Sequence, residues 1–95
     1  MGLDDRPIVW DATNTKHIER DHHERGIVRS EVDEALRDVR RVEAIETRER
    51  VDYHVVVGST HAGRLLVVAW VDHPEGRFPV HARRAGRQAA RRYYR

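Results

Sequence analysis

Two histidines and two arginines occupy alternating positions in segments of this chain that are predicted to form strands. Successive side chains of a strand point to opposite faces of the sheet. If the apolar odd positions of 53–57 and the apolar even positions of 78–82 pack inside, the polar positions between them share the other face. The residues expected on that face are Asp52, His54, Arg77, His81 and Arg83.

Such a face suits chemistry on a phosphodiester. Cleavage of RNA by its own 2′-hydroxyl needs a base for the hydroxyl proton, an acid for the leaving 5′-oxygen and positive donors for the charge on the phosphorane. Histidine titrates near neutrality and arginine grips phosphate oxygens, so both residue types fit. The spacing leaves open the alternative of a solvated sheet face whose charges serve solubility.

The charge is segregated along the chain. Residues 1–76 carry all 16 acidic residues and 11 basic ones, whereas residues 77–95 carry seven arginines and no acid. A basic segment of this kind attracts phosphate backbones or an acidic protein. The arginines expected to contact nucleic acid are Arg77, Arg84, Arg87 and Arg91.

The histidines of the first predicted helix also raise the question of a metal site. His17 and Asp21, with His22 or His23, have a spacing that lets two of them share a helix face. Two ligands do not make a site, and the chain has no cysteine. We therefore expect no metal site.

The central element is the apolar run from Gly63 to Asp72. Both of its alternating sets are apolar, which is typical of a strand covered on both faces. The segment 51–57 alternates well and joins this run through a glycine-flanked loop, so the two are expected to form an antiparallel hairpin. A further strand is predicted at 77–83, where Pro79 indicates an edge or a bulge.

Helices are predicted on either side of these strands. Asp11 or Thr13 can cap a first helix that ends before Gly26, and Ser30 can cap a second. The second helix has one apolar stripe, and the chain ends in a basic helix over 84–95. The stripe consists of Val32, Ala35, Leu36 and Val39.

These elements predict one α+β domain over residues 1–95. It has two N-terminal helices, a twisted antiparallel sheet of three to four strands and a C-terminal basic helix, with residues 7–10 as a candidate extra edge strand. Met1 to Arg6 holds no apolar leader and no run of 18 apolar residues occurs, so we expect a soluble cytoplasmic protein with no membrane partner.

The order of these segments and the short motifs within them resemble the BrnT family of bacterial toxins. The resemblance extends over most of the chain, in short motifs. They are Trp10-Asp11 with Asn14, His17-Ile18 and His22, Gly26-Ile27, Glu31-Val32, Gly58-x-Thr60-x-x-Gly63-Arg64-Leu65-Leu66-Val67-Val68, Ala82-Arg83-x-Ala85 and Arg91-Arg92-Tyr93.

The resemblance implies a RelE-like ribonuclease fold and a type II toxin that cuts RNA, without metal or cofactor, and is neutralised by a cognate antitoxin. It assigns candidate catalytic roles to Arg64, Arg83 and Tyr93. His54 and His81 join them from the strand phase alone. A non-catalytic nucleic-acid-binding or antitoxin-binding module on the same fold stays open as the alternative, as does association between copies of the chain.

Overall fold

The computed structural model describes residues 4–95, so residues 1–3 of the segment predicted to lack a leader lie outside the described range. Its elements are α1 (Ala12–Thr15), a π-helical segment (Lys16–Asp21), a 3₁₀ turn (His23–Arg25), α2 (Arg29–Arg37), β1 (Val42–Arg48), β2 (Val51–Ser59), β3 (Leu65–His73), β4 (Gly76–Arg84) and α3 (Arg87–Tyr93).

The four strands form one antiparallel sheet in the order β1-β2-β3-β4. Each strand pairs with the next along the chain, and β3 lies inside the sheet as its two apolar faces predict. The α+β class and the four-stranded antiparallel sheet are therefore confirmed. No helix within residues 4–95 is long and apolar enough to cross a membrane.

The hydrophobic core lies between α2 and one face of the sheet. Val32, Ala35 and Leu36 are fully buried on α2 and meet Val68 and Trp70 of β3, which are also fully buried. Gly58 lets the helix approach closely, because a Cβ there would come 2.1 Å from the carbonyl oxygen of Ala35. The predicted apolar stripe of the second helix is confirmed at these three positions.

The ends of α2 differ from the prediction. Val28 occupies the N-cap position, and only Glu31 contributes a capping bond, accepting from the Val28 N–H at 3.3 Å. Ser30 is therefore inside the helix. The helix ends at Arg37, so Val39 falls beyond it and is 86% exposed.

The first helical segment is shorter in regular α-helix than predicted. Asp11 caps it as expected, accepting from the Thr13 and Asn14 N–H groups. After one α-turn the segment widens into π-helix and ends in the 3₁₀ turn, before Gly26 with φ of 64°. The segment follows the outer edge of β4, where the Asn14 amide donates to the Pro79 carbonyl at 2.9 Å.

The predicted N-terminal edge strand is reduced to one bridge. Ile8 pairs in parallel with Arg77. The Val9 N–H donates to the Arg77 carbonyl at 2.7 Å, and the Arg77 N–H donates to the Pro7 carbonyl at 2.8 Å. The segment before the first helix thus covers this end of β4.

The predicted phase of β2 is wrong. His54 pairs with Trp70 and Val56 with Val68, so both face the core, and the set around Val55 faces away. Both sets contain valines, so alternation alone did not separate them. Gly58 shares the His54 face and must meet α2, which fixes the phase.

The predicted phase of β4 is wrong up to Pro79 and right from His81, because the strand contains a bulge. Pro79 pairs with Trp70 and His81 with Ala69, which leaves Val80 as an extra residue. A bulge shifts the alternation by one residue. Arg77 therefore faces the core while His81 and Arg83 face the open side, so the five polar residues expected together are divided between the two faces.

Candidate functional site

The face of the sheet opposite α2 carries an open groove of about 880 Å³. We call it the sheet groove. α3 contacts β2, and Val57 and Val67 are buried on this face although they do not belong to the main core. The sheet groove is lined by Glu46, Arg48, Val51, Tyr53, Val55, Val67, Ala69, Val71, Asp72, Val80, His81 and Arg83.

The sheet groove has an apolar floor and charged walls. Val55, Ala69 and Val71 come from the two inner strands. β4 supplies His81 and Arg83 to one wall of the sheet groove, and both lie on the open side of the sheet. Tyr53 also lines the groove, and an aromatic side chain beside a cation is the kind of surface on which a base stacks while the backbone meets positive charge.

Beside the wall that β4 forms lies a cluster of imidazoles from two distant parts of the chain. The His22 ring lies 6.4 Å from the His81 ring and 4.9 Å from the His17 ring, measured between centroids. The first helical segment holds His17 and His22 against the edge of β4. The cluster thus forms because β4 is the edge strand that this segment covers.

His81 sits in cationic surroundings. Burial lowers its pKa, and the neighbouring charges of Arg25, His17, His22 and Arg83 lower it further. The ring is consequently neutral at pH 7, with one nitrogen free to accept a proton. The Arg25 guanidinium is fixed beside it, donating to the Ala82 carbonyl at 3.0 Å. We call His22, Arg25, His81 and Arg83 the His–Arg cluster.

A second, smaller cavity adjoins this cluster. It has a volume of about 520 Å³ and shares Arg83 with the sheet groove and Arg25 with the His–Arg cluster. We call it the arginine pocket. It is lined by Glu24, Arg25, Gly26, Arg64, Arg83 and Arg84.

Arg64 is brought to the arginine pocket and not to the sheet groove. Its Nη1 pairs with Glu31 at 2.7 Å and donates to the Gly26 carbonyl at 3.3 Å. Within residues 4–95 its Nε has no acceptor. The structure therefore separates Arg64 from His81: Arg64 lines the arginine pocket, His81 lines the sheet groove, and Arg83 lines both.

His54 and Arg77 are not part of the site. The His54 ring stacks on Trp70 with centroids 3.8 Å apart, and its Nε2 lies 3.2 Å from the Asp72 carboxylate. Arg77 is 2% exposed and donates to the carbonyls of Arg6 and Leu36. A phosphate has no access to that guanidinium, so its predicted contact with nucleic acid is wrong.

Tyr93 anchors α3. Its hydroxyl donates to Asp38 Oδ2 at 2.5 Å, which raises the pKa of Tyr93 to about 12. Burial opposes ionisation of Asp38, but hydrogen bonds from Tyr93 and from the Arg40 and Ser59 N–H groups outweigh it and lower the pKa of Asp38. Tyr93 does not line the sheet groove. The phenol stays protonated at neutral pH, which suits an anchor.

The remaining predicted phosphate contacts lie on the surface around α3. Arg84, Arg87 and Arg91 are exposed. Arg84 lines the arginine pocket, and the other two lie on the helix. These three arginines can reach a nucleic-acid backbone.

His22 and Arg25 are the residues that the sequence reasoning did not place in the site. The sequence raises His22 only as a candidate metal ligand, and Arg25 only as part of the first predicted helix, which ends before Gly26. Within residues 4–95 no group of three or more His, Cys, Asp or Glu side chains is arranged to hold a metal ion. Pro79 is the sequence feature that could have indicated these residues. It predicts an edge strand, and a helix packed along that edge would bring their side chains beside His81.

No protein-family model and no curated protein matches this sequence. The function is therefore inferred from the residues of the site and from their geometry.

Proposed function

We propose that this protein is a metal-independent ribonuclease with a RelE/BrnT-like fold, acting in the cytoplasm as the toxin of a type II toxin–antitoxin pair. The observation that carries the proposal is the His–Arg cluster. It combines a neutral imidazole, a second imidazole and two guanidiniums at the wall of an apolar groove. These are the groups that 2′-hydroxyl attack requires.

In this reaction His81 accepts the proton of the 2′-hydroxyl. The 2′-oxygen attacks phosphorus, the bond from phosphorus to the 5′-oxygen breaks, and His22 protonates the leaving oxygen. The Glu24 carboxylate lies 3.6 Å from His22 Nδ1, on the side of the ring that can hold a proton between them. The products are a 2′,3′-cyclic phosphate and a 5′-hydroxyl end.

Arg25 and Arg83 supply positive charge where the phosphorane accumulates negative charge. Donors fixed before the reaction stabilise such a charge without reorganisation. The backbone carbonyls that hold the two guanidiniums, those of Ala82 and Arg84, support this role. RNA would lie across the sheet groove, with bases over the apolar floor.

A non-catalytic nucleic-acid-binding module is the second candidate, and the exposed arginines of α3 favour it. Seven arginines and no acid follow residue 76, so backbone attraction needs no catalytic group. An acidic antitoxin would meet the same surface. Binding that weakens steeply with salt indicates phosphate contacts, whereas a large apolar antitoxin interface resists salt.

The test is cleavage of a mixed RNA by purified protein in the presence of EDTA. The wild type and Arg37→Ala, an exposed arginine away from both cavities, should cut equally. Arg83→Ala should lose most activity because it removes a phosphate donor. Equal cutting by all three proteins would indicate a contaminating nuclease. If the wild type cuts no RNA, whether ribosomes are added or not, the non-catalytic binding module is favoured.

A further inference from the structure

The arginine pocket carries more positive charge than an internal phosphate of RNA can use. Four guanidiniums line it, and the carboxylates in or against it are Glu24 and Glu31. The local balance is therefore two positive charges. An internal phosphodiester has a single negative charge, whereas a terminal phosphate monoester has about two at neutral pH.

The position of the pocket relates it to the sheet groove. Arg83 lines both cavities, at the end of β4, so a strand lying in the groove reaches the pocket without leaving the surface. Beyond Arg84 the chain turns into α3. The pocket is thus at one end of the path that the groove defines.

We propose that the arginine pocket binds the terminal phosphate of a single-stranded RNA whose neighbouring nucleotides occupy the sheet groove. This inference rests on the proposed function for its substrate class and adds a preference for phosphate-bearing ends. Arg84 and Arg64 are specific to the pocket, since neither lines the sheet groove.

The experiment measures binding of short oligodeoxynucleotides of one sequence that end in a 5′-phosphate, a 3′-phosphate or hydroxyls only. Lacking the 2′-hydroxyl, they cannot be cut by the proposed reaction, so binding is separated from catalysis. One of the two phosphorylated forms should bind about tenfold more tightly than the hydroxyl form, as expected for a charge-assisted contact. The favoured form identifies the end that is read.

Arg84→Gln should abolish this preference and Arg37→Gln should keep it, with thermal unfolding confirming that both variants fold. Equal binding of all three oligonucleotides, or a preference unchanged in Arg84→Gln, would overturn the inference. Inorganic phosphate that competes as well as the phosphorylated oligonucleotide would also overturn it, since the pocket would then take free phosphate. A preference without RNA cleavage by the wild type would support the pocket and remove the proposed function alone.

Discussion

The two faces of the sheet place a histidine in opposite electrostatic surroundings. On the core side His54 stacks on Trp70 and pairs with the Asp72 carboxylate. On the open side the guanidiniums of Arg25 and Arg83 act on His81, whose pKa is lowered by burial and by these charges. A carboxylate partner fixes a ring as part of the structure, whereas cations and partial burial keep a ring neutral and available for proton transfer.

The faces also differ in packing. Val56 on the core side is fully buried, and its neighbour Val55 on the open side is only partly buried and lines the sheet groove. Tight packing makes a face intolerant of lost volume. The core side thus provides stability, and the open side is free to meet a ligand.

The largest expected effect compares the two histidines. His81→Gln should lower RNA cleavage by roughly 10²- to 10⁴-fold, the usual contribution of a general base. His54→Gln is the matched control and should keep its activity, because His54 is outside the sheet groove. Single-turnover cleavage rates measure both, and a comparable loss in the two variants would contradict the division of roles between the faces.

The next effect compares adjacent valines of β2. Val56→Ala should lower the free energy of unfolding by about 2 kcal/mol, through lost burial and the cavity left behind. Val55→Ala should cost less than about 1 kcal/mol, because its side chain is already partly in water. Urea denaturation measures both, and a larger cost at Val55 would mean that the strand phase is reversed.

A smaller effect concerns the anchor of α3 at the margin of the open face. Tyr93→Phe removes the hydrogen bond to Asp38 and should lower the free energy of unfolding by about 1 kcal/mol. It should leave RNA cleavage by the folded protein unchanged, since Tyr93 does not line the sheet groove. Loss of cleavage at full stability would restore Tyr93 to the catalytic set.

The smallest effect is the pH dependence of stability at His81. Its pKa in the folded protein is below the ordinary value of 6.5, so the unfolded chain binds this proton more readily. The resulting contribution to stability is present above 6.5 and is lost as the pH falls through the lowered pKa. The difference in unfolding free energy between wild type and His81→Gln should therefore shift across that acidic window, and a flat difference would contradict the neutral state of His81.

The sequence predicted β2, β3, β4 and the second helix because their apolar patterns are strong, as in Leu65–Val71 and in Val32, Ala35 and Leu36, whereas β1 has only a weak pattern and was not placed. It failed where two patterns were equally apolar. The valines 55–57 fit either face, and only the closeness of Gly58 to Ala35 distinguishes them. Such a long-range contact leaves no mark on local alternation.

The candidate site was predictable only in part for a similar reason. His81 and Arg83 were found on one face because they are two residues apart. His22 and Arg25 meet them through the docking of the first helical segment on β4, which depends on contacts such as that between Asn14 and Pro79. Sequence spacing carries no information about residues that are almost sixty positions apart.

That docking has a consequence for the order in which the molecule is made. The first helical segment is made before all four strands of the sheet, but β4, its partner, is made after β1, β2 and β3. Until then β1, β2 and β3 can pair with one another while His22 and Arg25 have no strand to pack against. The proposed cutting site therefore comes into existence only after β4 has been made, so a nascent chain that stops before β4 would not cut the RNA that encodes it.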